Sequence, residues 1–128
     1  MNPSFTERSV PALDEALVRL LPEQGSFELQ HDQPAKVHNW HRHSLDEELF
    51  VVAGDVVLFW DDGGTCREQH CPAGTWITLP AGTVHGSIAG RDGATYMIRP
   101  EGGASAQTEF LAADQFPHPT PSGIGRVA

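Results

Sequence analysis

The pattern of apolar and polar positions predicts that most of this chain is built from short β-strands. Between residues 26 and 100, runs that mix β-branched, aromatic and polar residues alternate with pairs and triplets rich in Gly, Pro and Asp. Short strands at regular spacing, with no helix between them, are typical of a β-sandwich or small barrel rather than of βαβ units. The predicted strands are Ser26–Gln30, Lys36–His43, Glu47–Val52, Val56–Trp60, Thr65–His70, Thr75–Leu79, His85–Ile88 and Thr95–Ile98.

A short helix is predicted before these strands. Apolar residues recur at helical spacing over Ala12–Leu21, and Pro22 ends the pattern. At 128 residues the chain has room for one domain with a modest core. We therefore divide it into an N-terminal arm with the short helix (residues 1–25), an all-β barrel (residues 26–100) and a C-terminal extension that we expect to be partly flexible (residues 101–128).

The two faces of the central predicted strands are both apolar. In Glu47–Val52, Leu49 lies on one face and Phe50 on the other; in Val56–Trp60, Leu58 lies on one face and Phe59 on the other. A lone small barrel is expected to be apolar inside and polar outside. The outer apolar residues therefore need a cover, and we expect either the N-terminal helix or, in a homodimer, a second subunit to supply it.

Four residues with metal-binding side chains stand at informative spacings. His41 and His43 are two residues apart on the predicted strand Lys36–His43. Alternate residues of a strand point to the same face, so these two imidazoles face the same way with Cα atoms roughly 6.6 Å apart. Glu47 follows His43 after a three-residue gap, and His85 begins another strand. These donors predict a site for one divalent metal ion, assembled from separate strands.

The spacing of these donors resembles the two sequence motifs of the cupin superfamily, G(X)5HXH(X)3–4E(X)6G and G(X)5PXG(X)2H(X)3N. The resemblance covers roughly residues 36 to 90 of this chain. It departs from the motifs at Ala35, where the family has glycine, and at Ala89, where the family has asparagine, and neither is a ligand position. The matching residues are His41, His43, Glu47, Gly54, Gly74, Pro80, Gly82 and His85.

This resemblance implies a small single-domain cupin. Its fold would be all-β, a double-stranded β-helix or jelly-roll barrel, here with a short N-terminal helix. Its cofactor would be one divalent metal ion per chain (Fe, Mn, Ni or Zn), held by His41, His43, Glu47 and His85. The family includes dioxygenases, isomerases, epimerases, lyases and non-catalytic binders, so a small-molecule ligand is implied but no single reaction.

Some neighbouring residues compete for these roles. Glu48 fits the longer gap that the first motif allows, but strand parity lets one of the two glutamates face inward, and the six residues that follow Glu47 favour it. His38 precedes His41 by three residues, so on a regular strand it faces the opposite side. The remaining histidines are expected at the surface: His31, His70 and His118.

Composition limits the classes of partner and compartment. The formal net charge of −9 at pH 7 argues against binding to a nucleic acid. No apolar run approaches the roughly 20 residues needed to span a bilayer, and the N-terminus lacks a signal-peptide pattern. Cys66 and Cys71 do not form a CxxC pair, so we expect two free thiols. We therefore expect a cytoplasmic protein without a membrane partner.

The predicted function follows from the ligand set and its surroundings. Three imidazoles and one carboxylate leave open positions on an octahedral ion, as catalytic sites do. Near the site, Tyr96 is a weak candidate for a proton donor and Arg99 for a group that binds a substrate carboxylate. We predict a metal-dependent protein acting on a small organic molecule, with an Fe(II) dioxygenase ahead of two alternatives. These are a redox-neutral isomerase, epimerase or lyase on a sugar or hydroxy acid, and a non-catalytic ligand-binding cupin.

Overall fold

The computed structural model describes residues 2–10, 12–21, 24–112 and 118, and within them the chain is mostly antiparallel β-sheet. One short α-helix precedes most of the strands, as predicted. The elements are β1 (Ser4–Glu7), α1 (Leu13–Leu20), β2 (Glu28–Asp32), β3 (Val37–His43), β4 (Glu47–Asp62), β5 (Thr65–Pro72), β6 (Thr75–Leu79), β7 (His85–Pro100), a 3-10 turn (Glu101–Gly103) and β8 (Thr108–Phe110).

Two long strands, β4 and β7, form the centre of the barrel. The strand order is β1-β6-β4-β7-β3-β8, with β2 also paired to β7 and β5 to β4, and every pairing is antiparallel. Along its length β4 pairs first with β6 and then with β5, and β7 pairs first with β3 and then with β2. These changes of partner curve the sheet around an apolar interior. That interior contains Val51, Leu58, Ile77, Leu79 and Tyr96.

Two turns that the sequence predicts are bends within the long strands. Near Gly54 in β4 and Gly93 in β7 the pairing of the two strands shifts register. Both glycines have positive φ, 70° and 76°. A Cβ at Gly54 would lie 2.1 Å from the carbonyl oxygen of Gly93, so the backbones cross too closely for any side chain. The chain therefore bends at these glycines without leaving the sheet, and two pairs of predicted strands become β4 and β7.

The outer apolar face is covered from within the chain. Helix α1 packs Ala16 and Leu20 over a buried patch that includes Phe50, which stacks on Trp76 at a ring-centroid distance of 3.9 Å. Elsewhere Phe59 lies under Trp40, with Ile88, Val84 and Leu111 beside it. The need for a cover, which suggested a second subunit, is therefore met at these positions by the helix and the C-terminal extension. The homodimer stays a prediction.

The two ends of the chain contribute more to the sheet than their predicted roles as an arm and an extension suggest. Residues Ser4–Glu7 pair with β6, and Thr108–Phe110 pair with β3 along the strand that carries His41 and His43. The rest of the extension, residues 113–117 and 119–128, lies outside the described residues. In the described part of the chain, no helix has the length and apolar character needed to cross a bilayer.

Candidate metal centre and its pocket

Strand pairing brings three histidines together inside the barrel. His41 on β3 is the direct cross-strand partner of His85 on β7, and His43 lies two residues along from His41. One ring nitrogen from each of the three lies within 4.8 Å of the others. We call His41, His43 and His85 the histidine trio. His41 and His85 are buried and His43 is partly exposed, so the trio lines the barrel wall and could hold a metal ion.

The outer nitrogen of each ring is bonded, which leaves the inner nitrogen to act as a ligand. His41 donates from Nδ1 to the carbonyl oxygen of Asn39, and His85 donates from Nδ1 to that of Thr83 at 2.8 Å. Because carbonyls only accept, these two imidazoles carry their proton on Nδ1 and a lone pair on Nε2. His43 Nδ1 lies 2.9 Å from the Thr108 hydroxyl, which can hold the same tautomer. Such partners of the second nitrogen are typical of metal-ligating histidines, so the trio fits a metal ion.

Burial keeps these imidazoles neutral. Desolvation lowers the pKa of His43 to about 4 and that of His85 to about 3, and it also lowers the pKa of His41. A metal ion needs an unprotonated nitrogen. At neutral pH the trio therefore offers unprotonated ligands, and no proton has to leave these imidazoles when an ion binds.

Glu47, rather than Glu48, faces the trio. The side chain of Glu47 is 7% exposed, and its Oε1 lies 3.4 Å from His43 Nε2. Burial, together with the nearby Glu28, raises the pKa of Glu47 to about 7. Glu48 points to the outer face and accepts a hydrogen bond from Arg99 at 3.2 Å. As parity predicts, only one of the two glutamates faces inward, and it is Glu47, which the motif spacing favoured. Glu47 lies beside His43 but is not one of the three residues whose ligand atoms converge within 4.8 Å.

A cavity of about 500 Å³ opens in front of the trio. Apolar side chains from β4 and β6 line one part of it, and polar side chains, among them Glu28, Gln30 and Glu47, line about as much of the rest. Tyr96 is among the polar groups, as predicted. Arg99 is not: it lies three residues further along β7, on the outer face, where it bonds Glu48, so the predicted contact with a substrate carboxylate has no support in this geometry. Such a cavity suits a small molecule that carries both polar and apolar groups.

The expectation that His38 faces away from the site is wrong, because β3 contains a bulge. His38 pairs with Ser87 and His41 with His85, so three steps on β3 match two steps on β7. The extra residue reverses the parity of the strand, and His38 lines the same cavity as His41. The side chain of Asn39 accepts a hydrogen bond from the backbone of Trp40 within this bulge.

A buried carboxylate holds His38 in place. The side chain of Asp32 is 4% exposed. Its two carboxylate oxygens each lie 3.0 Å from His38 Nε2. Tyr96 donates its hydroxyl proton to Asp32 at 2.7 Å, and Gln30 donates its amide proton at 3.0 Å. We call Gln30, Asp32, His38 and Tyr96 the Asp32 cluster. Sequence reasoning missed Asp32 because its predicted strand ended at Gln30, two residues short of the observed end of β2.

The C-terminal extension also contributes to the site. Thr108 bonds His43, and Phe110 lies against His41 with ring centroids 5.5 Å apart. Residues 104–106 line the same cavity. From the sequence, Phe110 and Leu111 were expected to pack on the barrel, but the contribution of residues 104–108 was not foreseen, because they carry no strand pattern of their own.

The other predicted surface groups lie apart from the trio. His31 bonds Thr95, and His70 bonds Asp55, both at exposed positions. His118 is instead largely buried, bonded to Asp61 and packed near the ring of Trp40. The two thiols are free, with Cys66 exposed and Cys71 buried.

Comparison with known proteins bears on the fold. No protein-family profile and no curated protein sequence matches the chain. Solved structures do match, among them pumpkin seed globulin, with 16% identity and a TM-score of 0.61 over 67% of this chain and 23% of that one. A variant of the oxalate decarboxylase of Bacillus subtilis has 19% identity and a TM-score of 0.61 over 85% of this chain and 28% of that one. The 11S allergen of Cocos nucifera has 14% identity and a TM-score of 0.59 over 84% of this chain and 29% of that one.

In these comparisons the chain corresponds to 23% to 29% of the length of the solved proteins. At such low identity the likeness concerns the path of the backbone rather than the ligand or the reaction. The solved structures and the barrel formed by β2–β7 agree with the expectation from the sequence motifs. The chain therefore has the cupin fold.

Proposed function

We propose that this protein is a metal-dependent enzyme that converts a small organic molecule in the barrel cavity. The observation that carries the proposal is the arrangement of the histidine trio: the Nδ1 atom of each ring has a hydrogen-bond partner, and one nitrogen of each ring lies within 4.8 Å of the others. Packing alone would not require three neutral imidazoles to be fixed in one orientation. Glu47 beside His43 would supply a fourth donor, which carries a negative charge once its proton has left.

Different residues of the cavity would bind the ion and the substrate. The trio and Glu47 would hold the ion, and the ion would act as a Lewis acid on a carbonyl or carboxylate oxygen, or as a site for O₂ if it is iron. Leu49, Val51 and Leu58 would pack against the apolar part of the substrate and exclude water. We infer a small organic acid or carbonyl compound, since oxalate decarboxylase, with the same fold, is named for an acid of this kind.

The reaction class is the finer part of the proposal. The Fe(II) dioxygenase predicted from the sequence remains one candidate, because three imidazoles and one carboxylate leave room for O₂ and substrate. The redox-neutral isomerase, epimerase or lyase is favoured by a separate observation, the Asp32 cluster, which places an acid–base pair on the wall of the same cavity. We also propose a cytoplasmic location, which the two free thiols support.

The metal site is tested first, by elemental analysis of purified protein after dialysis against each metal. We expect one ion per chain in the wild type and none in the double variant His41→Ala/His43→Ala. The double variant His31→Ala/His70→Ala is a matched control, because it removes two exposed imidazoles outside the trio. Full occupancy in the first double variant would refute the assignment of the trio.

The reaction class is tested by anaerobic reconstitution with Fe(II), Mn(II), Ni(II) or Zn(II), followed by assays with a panel of small acids and carbonyl compounds. Oxygen uptake with Fe(II) alone indicates a dioxygenase. Turnover with Zn(II) or Mn(II) in the absence of oxygen indicates an isomerase, epimerase or lyase. Binding of the compounds without turnover under any metal would leave a non-catalytic binder.

A further inference from the structure

We propose that His38 is the proton acceptor for a carbon acid bound at the histidine trio, and that Asp32 is the residue that positions it. This inference rests on the proposed function, because it needs a substrate in the cavity. His38 is not one of the four predicted ligands. On a regular strand its side chain would point away from the site.

The hydrogen bonds of the Asp32 cluster decide which nitrogen of His38 is basic. Both oxygens of Asp32 lie 3.0 Å from His38 Nε2, so that nitrogen carries the proton and donates it. The amide nitrogen of Gln30 also lies 3.1 Å from His38 Nε2, but it donates to Asp32 at 3.0 Å, so the carboxylate is the acceptor for both groups. An Nε2–H tautomer leaves the lone pair on Nδ1, which is then the site that accepts a proton.

The carboxylate that makes this possible is held ionised. Burial would raise the pKa of Asp32, but hydrogen bonds from Gln30, His38 and Tyr96 outweigh burial and leave that pKa below its ordinary value. An ionised carboxylate against Nε2–H stabilises the imidazolium that forms when Nδ1 takes up a proton. The cluster is thus built as a carboxylate–imidazole pair rather than as inert packing.

Tyr96 holds Asp32 and is not the proton donor that the sequence suggested. Burial and the hydrogen bond to Asp32 raise the pKa of Tyr96, so its hydroxyl stays protonated. That proton is directed at Asp32 rather than at the open cavity. We therefore assign Tyr96 as a positioning residue for the carboxylate, and His38 as the group that faces a substrate.

His38 stands at a useful distance from the trio. It pairs with Ser87, which is two residues along β7 from His85. The backbone positions of Ser87 and His85 are therefore roughly 7 Å apart along the barrel wall. His38 is partly exposed, with 28% of its side chain accessible, and it lines the same cavity as the trio. A small substrate whose carbonyl oxygen is directed at the trio can therefore present its adjacent carbon to His38.

The step that follows needs no oxidant. A C–H bond next to the substrate carbonyl breaks, its proton moves to His38 Nδ1, and its electron pair moves into the carbonyl to give an enolate. Return of the proton to the same carbon exchanges or inverts it, and return to a neighbouring atom isomerises the molecule. The substrate class is therefore a small acid or carbonyl compound with an acidic C–H, such as a 2-oxo acid.

The test uses 2-oxobutanoate as the probe and the Zn(II)-loaded protein in D₂O. Proton NMR follows the loss of the C3 proton signal as deuterium enters. We expect exchange to fall at least 100-fold in His38→Gln and about tenfold in Asp32→Asn, in line with the usual loss when a general base is removed. The variant His31→Gln is the matched control and should exchange like the wild type, because His31 is exposed and bonds Thr95.

Two further measurements separate this inference from the proposed function. Broadening of the probe signals by the Mn(II)-loaded protein reports binding near the ion, and it should be equal in the wild type and in His38→Gln. Absence of broadening overturns both proposals. Broadening combined with equal exchange in the wild type and His38→Gln overturns the role of His38 alone.

The tautomer of His38 is read without any metal or probe. A ¹⁵N–¹H correlation spectrum of the imidazoles should show His38 with its proton on Nε2, and Asp32→Asn should change that pattern. A proton on Nδ1 in the wild type would overturn the inference, because the basic nitrogen would then face Asp32 rather than the cavity.

Discussion

The hydroxyl of Thr108 should tune the metal affinity of the histidine trio. His41 and His85 are oriented by backbone carbonyls, which no substitution removes, but His43 is oriented by a side chain whose Oγ1 lies 2.9 Å from Nδ1. Thr108→Val keeps the shape and β-branching of the residue and deletes that partner. The change thus isolates one orienting hydrogen bond in the whole site.

The expected loss of affinity is about tenfold. A neutral hydrogen bond contributes about 0.5–1.5 kcal/mol net, which corresponds to about 2- to 13-fold in an equilibrium constant. Loss of the partner of a metal-ligating histidine typically costs about 10- to 100-fold. Because Thr108 is exposed and water can replace part of the bond, we expect the value where the two ranges meet.

The assay is competition for Zn(II) between the protein and a chromophoric chelator of known affinity. Thr108→Ser keeps the hydroxyl and should restore most of the affinity, whereas Thr78→Val, at an exposed position on β6, should leave it unchanged. The melting temperature of the metal-free protein should be the same for Thr108→Val and Thr108→Ser. An unchanged affinity in Thr108→Val would refute the orienting role of this hydrogen bond.

Three further results are expected. Because the pKa of Glu47 is raised to about 7, that side chain is protonated at pH 6 and must lose its proton to act as a ligand, so metal affinity should fall as pH drops below about 7. Titration at pH 6 in a weak buffer should show nearly one proton released per ion in the wild type and in Glu48→Gln, and none in Glu47→Gln. Leu20→Ala should lower the free energy of unfolding by about 2–4 kcal/mol in urea, since Leu20 is fully buried, whereas Val18→Ala should change it by less than about 0.5 kcal/mol, since Val18 is 77% exposed. Sedimentation should give the same mass for Leu20→Ala as for the wild type, because the helix covers this patch within one chain; a change of mass would show that a second subunit shares it.

The residues of the candidate metal site could be predicted from local spacing. His41 and His43 share a face because strand geometry alternates side chains with period two, and this rule depends on nothing beyond the strand itself. The same rule separated Glu47 from Glu48, and the structure places them on opposite faces as expected. Regular strand geometry was therefore enough to assign the faces of His41, His43 and Glu47.

The same rule failed where the backbone departs from regularity. His38 was expected to face outward, but an extra residue between it and His41 reverses the parity. The sequence of β3 does not reveal the bulge. Asn39 is of a type that is uncommon in strands, but one such residue does not predict where an extra residue is inserted. For the same reason the partnership of His38 with Asp32, which joins two strands, could not be foreseen.

What the sequence alone determined was the class of the fold and the identity of the four metal-ligand candidates, because both depend on spacings within single strands and turns. The tertiary structure decided which strand bends through Gly54, which chain segment covers Phe50, and which residues face the cavity beside the trio. Those outcomes depend on register between strands far apart in the chain. A shift of one residue turns a side chain from the cavity to the outer surface, and only the packed barrel sets that register.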